Sequence, residues 1–329
     1  MLAAFYDRVG PAREVLAIGE RPRPEPGPGE VRVRLACSGV NPSDVKTRAG
    51  TRSRTLPFAE IIPHSDGAGT IDAVGAGVDA ERVGQRVWVW NGAWGRAHGT
   101  AAQWIALPSA QAVALPDSVD FAAGACLGIP ALTACHAVLG QGGVAGRRVL
   151  VAGGAGAGGH YAVQMARLAG AAQVIATVSS AEKAAVARAA GADAVVDYRR
   201  EDTVARVAEL TGGRGIERVI EVDFAANAGI DFALLAPGGE IVVYGSGQPE
   251  IALPFVPAIV KNVRVQFFIV YHLAPADRAQ ATSALTRGLE LGVLVHAIAQ
   301  RLPLARIVEA HERVESGAAV GNVVIDLPA

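Results

Sequence analysis

Residues 147–170 read RRVLVAGGAGAGGHYAVQMARLAG. The first part, RRVLVAG, has the apolar density of a short buried strand. The last part, YAVQMARL, has helical spacing, and Gly170 follows as a helix stop. Between them Gly154, Gly156 and Gly159 satisfy G-x-G-x-x-G, and Gly153, Gly156 and Gly159 satisfy G-x-x-G-x-x-G. Missing side chains permit a tight turn and let the backbone come close to a pyrophosphate. The N–H groups that open the helix then face that anion, and the helix dipole favours it. Ala157 and Gly158 complete the set of expected cofactor contacts in this turn.

The surrounding rhythm agrees with that reading. Short apolar runs at 147–152, 173–178, 194–197, 218–223 and 239–245 alternate with helical patterns near 159–170, 181–190, 202–210 and 227–235. Such alternation predicts a doubly wound parallel sheet of Rossmann type. Residues 263–271 supply a further strand, helices follow at 276–291 and 304–316, and GNVVIDLP closes the chain as a strand. Upstream, residues 1–110 are a series of strands and turns. VRVRLACSGV (31–40) alternates like a half-buried strand, and GAGTIDAVGAGV (67–78) mixes short β-runs with glycine bends. RVWVW and AAQWIALP add two more strands, so a small β-barrel is expected. SVDFAAGACLGIPALTACHAVL (118–139) is expected as one helix.

At 329 residues the chain has room for about two domains. Hydrophobic residues make up 51% and charged residues 19%, so a sizeable core is available and disorder is excluded. Thirty basic and 31 acidic residues are interspersed, giving a net charge of −1, with no basic stripe to hold nucleic acid. No stretch of about 20 apolar residues free of charges is present, so no membrane span is expected. Cys37, Cys126 and Cys135 form no CxxC pair and are expected as reduced, buried thiols of a cytoplasmic protein.

The second strand of the unit selects the dinucleotide. NAD sites place a carboxylate about 20 residues beyond the glycines to hold the ribose hydroxyls. Here VIATVSSAEK ends in Ser179 and Ser180 with Lys183 one turn on, and Glu182 lies past the strand end. Hydroxyls and an ammonium suit a 2′-phosphate, so NADPH is expected; Ser180 also fits a helix N-cap. Tyr198, after AVVD, is placed to flank the adenine.

Order and spacing of several stretches together resemble the medium-chain dehydrogenase/reductase superfamily, in its zinc-free quinone oxidoreductase (ζ-crystallin-like) branch. These are SGVNPSDVKTRAG (38–50), PHSDGAGTI (63–71), GQRVWVWNGAWGRAHGTAAQWIALP (84–108), GIPALTACHAV (128–138), the glycine run, and AHERVESGAAVGNVVIDL (310–327). The resemblance implies a GroES-like β-barrel catalytic domain, residues 1–121 and 266–329, and a Rossmann cofactor domain, residues 122–265. It places Asn41, Ser65 and Ile129 where zinc-dependent relatives carry metal ligands. None of the three is a good zinc ligand, so no metal is expected. It marks Asn41 and Thr133 as candidate catalytic residues near the nicotinamide, and Gly245, Ser246, Phe268 and Ile269 as further cofactor contacts. It implies NADPH-dependent reduction of a quinone or an activated enone. It also implies a homodimer paired through the edge strands EIVVYG and VRVQFF. Two other readings stay open: an NADPH-binding crystallin-like protein with little turnover, and a zinc alcohol dehydrogenase with unusual ligands such as His64, Cys37 and Asp66.

Overall fold

Alternating side chains along residues 31–35 put Val31, Val33 and Leu35 on one face, and that face is the inner wall of a barrel. In chain order the computed structural model, which describes residues 1–51 and 53–329, begins with β1 (Leu2–Phe5), α1 (Ala12–Val15), β2 (Ala17–Glu20), β3 (Glu30–Val40) and α2 (Pro42–Arg48). Then come β4 (Asp66–Val74), β5 (Arg86–Val89), β6 (Trp104–Pro108), β7 (Ala112–Ala114) and α3 (Phe121–Gly124). The middle of the chain carries α4 (Leu132–Leu139), β8 (Arg148–Val151), α5 (Gly159–Leu168), β9 (Gln173–Val178), α6 (Ala181–Ala189), β10 (Ala194–Asp197) and α7 (Thr203–Thr211). It continues with β11 (Ile216–Glu221), α8 (Phe224–Leu234), β12 (Leu235–Val243), α9 (Phe255–Val260), β13 (Arg264–Phe267) and α10 (Pro275–Glu290). The end is β14 (Ile298–Pro303), α11 (Ile307–Glu315) and β15 (Asn322–Asp326).

Two units result, Met1–Ile129 with Thr286–Ala329, and Pro130–Leu285. In the first, strands run in the order β14-β15-β3-β4-β5-β7, with β6 also paired to β3. Val31, Val33, Leu35, Ile71, Val87 and Ile105 fill its interior. The stretch expected as short runs with bends is one nine-residue strand, β4, whose pairing with β3 shifts register between Leu35 and Cys37. In the second unit, six strands pair in parallel in the order β10-β9-β8-β11-β12-β13, a doubly wound sheet. Its switch point lies between β8 and β11, where such sheets open a crevice for ligands. Leu150, Ile175, Val196, Val219 and Ile241 form its core. Beneath it Arg218 is fully buried, paired with Glu240, and donates to the carbonyls of Val138 (2.9 Å) and Gly140 (3.0 Å) at the end of α4. All three cysteines are buried and free.

Four expectations need correction. The single helix over 118–139 is broken. After α3 the chain makes one π turn, Leu127–Ala131, before α4, because Pro130 has no N–H to continue an α-helical ladder. Residues 122–129 belong with the barrel: a methyl group on Gly39 of β3 would stand 2.1 Å from the Ala125 carbonyl, so the two backbones touch. Residues 266–285 belong with the parallel sheet, since β13 pairs with β12 and Arg278 donates to the Val270 carbonyl. Finally, EIVVYG is no edge. β12 is paired on both sides, by β11 and β13, and only VRVQFF lies at the sheet's margin.

Candidate active site and cofactor cradle

The cradle is built from the turn after β8. Gly153 has φ +64°, in the left-handed region that a β-carbon disfavours. The Thr177 side chain at the end of β9 accepts its N–H at 3.0 Å, and the Thr177 carbonyl accepts that of Gly154 at 3.0 Å. A methyl group on Gly159 would stand 2.1 Å from the Gly153 carbonyl, so α5 can pack onto the turn only without one. The outer face is different. A methyl group on Gly156 meets nothing nearer than 3.3 Å, and one on Gly158 nothing nearer than 3.6 Å. Among the described residues no acceptor takes the N–H of Ala157 or Gly158, and no side chain caps α5. Open backbone donors at the positive end of a ten-residue helix fit a pyrophosphate.

Other expected contacts collect at the same C-terminal strand ends. Gly245 follows β12 and lies against the Val222 backbone, where a methyl group would stand 2.1 Å from the carbonyl; Val222 also flanks Gly153. The Ser246 hydroxyl donates to the Gln248 carbonyl at 2.7 Å, within its own loop. That loop is tied down by Asp223, which accepts the Gly247 N–H at 2.6 Å. Glu221, at the end of β11, accepts from the Asp223 N–H and from Asn227 Nδ2. Burial and the Glu221 carboxylate push Asp231 up to about 9, so this pair holds a proton at neutral pH. Phe268 meets the His136 ring edge-on at 4.6 Å, Ile269 is partly exposed, and Thr133 is buried in α4. Thr177 and Asp223 were not read from the sequence, because an isolated threonine or aspartate carries no pattern.

At the end of β9, Ser180 is the N-cap of α6, its hydroxyl accepting the Lys183 N–H at 3.2 Å. Ser179 and the Lys183 side chain are half-buried, and Lys183 has no carboxylate partner among the described residues. Tyr198 is exposed, and its N–H bonds the Val178 carbonyl at 3.1 Å, which sets it beside Ser179.

In the barrel unit Asn41 caps α2 at its junction with β3 and is buried. The Asp44 carboxylate accepts its N–H at 2.8 Å, a contact that holds the turn before Pro42. Its side-chain Nδ2 donates to Asp66 Oδ2 at 2.8 Å, and the Ile129 N–H reaches the same oxygen at 3.0 Å. Asp66 is therefore where the strand end of β3 and the segment before α4 converge. It is fully buried, and its Oδ1 has no partner among the described residues. Burial raises its carboxyl well above the usual range and the Asp44 charge adds to this, while the bonds from Asn41 and Ile129 oppose it. Sequence reading offers Asp66 only as an unusual zinc ligand beside His64 and Cys37, not as the acceptor that holds Asn41.

The positions that the resemblance assigns to metal ligands thus hold an amide, a hydroxyl and the main chain of an isoleucine, a donor set that does not suit zinc. Nearby groups are engaged elsewhere. His64 contacts Ser38 Oγ at 2.8 Å through Nδ1 and His311 at 2.9 Å through Nε2. Burial lowers His64 to about 3; burial, with His64 and Arg48 adding to it, lowers His311 well below its ordinary value, so both rings are neutral. Cys37 donates to Asp326, and burial raises its thiol to about 12.

A GroES-like barrel joined to a parallel sheet with this glycine turn defines a nicotinamide-binding dehydrogenase. Comparison with known proteins bears on which kind. Residues 27–117 match the family described as "Alcohol dehydrogenase GroES-like domain", and residues 158–287 match "Zinc-binding dehydrogenase". The chain is 31% identical over 295 residues to the quinone oxidoreductase of Pongo abelii, covering 89% of this chain and 88% of that protein. A mycobacterial structure complexed with NADPH has a TM-score of 0.86 and 30% identity, covering 99% of this chain and 100% of that chain. A structure described as an NAD-dependent alcohol dehydrogenase has a TM-score of 0.90 and 31% identity, covering all of both chains. The chain belongs to the medium-chain dehydrogenase/reductase superfamily, and within it to the quinone oxidoreductase type. It is an oxidoreductase acting on a small molecule. No described helix is long and apolar enough to cross a membrane.

Proposed function

We propose that this chain is an NADPH-dependent quinone reductase, passing hydride directly to a quinone or activated enone without a metal. The observation that carries this reading is the end of β9, where two serines and a lysine with no carboxylate partner among the described residues replace the carboxylate of NAD sites. The bound nicotinamide supplies the hydride. The chain's residues bind and orient. The turn at Gly153, Gly154, Gly156, Ala157, Gly158 and Gly159 takes the pyrophosphate. Ser179 and Lys183 take the 2′-phosphate, with Tyr198 beside the adenine. Gly245, Ser246, Phe268 and Ile269 line the nicotinamide half. Asn41 is the donor offered to the substrate's carbonyl oxygen, with Thr133 as a second polar group. A quinone or enone needs no Lewis acid, because the negative charge that develops on its oxygen is delocalised, and one hydrogen-bond donor is enough to steady it.

Steady-state rates with NADPH and NADH on a panel of 1,2- and 1,4-quinones test this. We expect a clear preference for NADPH. Lys183→Ala is expected to reduce that preference by about tenfold or more, the worth of a charge-assisted hydrogen bond, with NADH kinetics unchanged. A preference for NADH in the unaltered protein overturns the 2′-phosphate assignment. Tight NADPH binding with no turnover on the whole panel overturns the reductase reading in favour of a binding protein.

Assembly as a homodimer is supported by the margin of the parallel sheet. β13 leaves one edge unpaired, and Phe255 (72% exposed), Val256 (65%), Ile259 (58%) and Val260 (73%) of α9 form an apolar patch in the same unit. The occupant we propose for this face is a second copy related by a two-fold axis. Val260→Asp combined with Phe255→Asp is expected to shift the mass measured by light scattering from dimer to monomer; an unaltered mass would remove this face as the interface. A reducing, cytoplasmic compartment is the reading that the three free, buried thiols support.

A further inference from the structure

Tyr244 is the first residue beyond β12, and its N–H bonds the Glu221 carbonyl at 3.1 Å. Its ring therefore leaves the sheet at the same strand ends that carry the glycine turn. Its hydroxyl lies over Gly158, 3.6 Å from where a methyl group on that glycine would stand. The ring is held against Phe268, with centroids 6.2 Å apart and planes at 55°, and Phe268 is in turn braced edge-on by His136. Packing thus fixes the direction of the phenol. Tyr244 is half-buried, and among the described residues no hydrogen bond engages its hydroxyl. Burial, and after it the Glu221 charge, pushes the phenol up, so it remains a neutral O–H donor throughout the physiological range.

Three donors with no protein acceptor consequently gather at the start of α5: the N–H groups of Ala157 and Gly158 and the Tyr244 hydroxyl. The strand order says which half of a dinucleotide they meet. The adenosine half extends over β9, on one side of β8, whereas Tyr244 arrives from β12, on the other side. We infer that the Tyr244 hydroxyl donates a hydrogen bond to the cofactor's pyrophosphate, at the phosphate that bears the nicotinamide ribose. This rests on the cofactor reading above and adds a residue to it.

The test is Tyr244→Phe, which keeps the ring and its packing, with binding measured by calorimetry rather than by turnover. Three probes are used: NADPH, 2′-phospho-ADP-ribose, which has both bridging phosphates, and adenosine 2′,5′-bisphosphate, which lacks the nicotinamide-side phosphate. The variant is expected to bind the first two about tenfold more weakly or worse. Affinity for the third should stay within about twofold, and the melting temperature should be unchanged. Equal affinity of both proteins for NADPH and 2′-phospho-ADP-ribose overturns the inference. So does equal weakening toward all three probes, which would indicate a general disturbance of the turn. If the unaltered protein prefers NADH, the 2′-phosphate reading fails separately. The Tyr244 contact is then judged on ADP-ribose against AMP, with the same expected loss for the first only.

Discussion

Gly159→Ala is expected to abolish measurable NADPH binding and to lower the melting temperature together. The added methyl group would stand 2.1 Å from the Gly153 carbonyl, and both groups belong to the backbone, so no side chain can swing aside. Either α5 moves away from β8 or the turn at Gly153 opens. Overpacking of this kind costs about 1–3 kcal/mol of stability. A shift of about 1 Å in groups that must converge on one ligand costs about a hundredfold in their function. Gly158→Ala separates the two effects. Its methyl group meets nothing nearer than the Tyr244 hydroxyl at 3.6 Å, so the fold is expected to keep its melting temperature. That methyl group nevertheless points to the outer face, the proposed seat of the pyrophosphate, so affinity should fall while stability does not. Calorimetric binding and thermal melts of both variants check this. If Gly158→Ala binds NADPH as the unaltered protein does, the outer face is not the anion site.

The contrast between these two glycines shows what the sequence can and cannot report. Strand, turn and helix were legible from composition and period alone, and β9 and β10 begin and end where the apolar runs do. That alternation is local, and so is the G-x-G-x-x-G spacing. Which glycine supports packing and which leaves room for a ligand is not local. It depends on the Gly153 carbonyl on one side and on Tyr244, just beyond the distant strand β12, on the other. The same distinction explains the other misses. An apolar run does not reveal its place in a sheet, so EIVVYG read as an edge although β12 lies inside. Helical composition over 118–139 hid the π turn, because one proline changes the hydrogen-bond ladder without changing the hydrophobic pattern. The role of Asp66 was the costliest miss, since the sequence offers it only as an unusual zinc ligand. It sits one residue past a position that the family resemblance drew attention to. Its importance comes from Asn41 and Ile129 converging on one buried oxygen, which no spacing rule encodes.

Asp66 therefore carries the second large prediction. Asp66→Ala removes the acceptor shared by Asn41 Nδ2 and the Ile129 N–H, both of which stay buried or half-buried. Each orphaned donor costs about 1–3 kcal/mol, so unfolding in denaturant should show a loss of about 2 kcal/mol or more. With Asn41 released from its orientation, kcat/KM for quinone should fall about a hundredfold. Asp66→Asn gives the opposite result if the acid works in its neutral form, since an amide oxygen accepts the same two bonds and an NH2 replaces the acid O–H. Activity near that of the unaltered protein is expected. The titration supplies an independent check. Asp66 is raised above its ordinary value of 3.8 in the fold, so the native state binds the proton more tightly than the unfolded chain does. The stability it contributes is full below that value and is lost as pH rises through the higher, folded pKa. In the unaltered protein, stability relative to Asp66→Asn should fall over this window by up to about 1.4 kcal/mol per pH unit. A stability difference that rises with pH, or an inactive Asp66→Asn protein, would mean that Asp66 holds Asn41 as a carboxylate. Asn41 would then face a charged partner, and the donor it offers the substrate would be weakened by that charge.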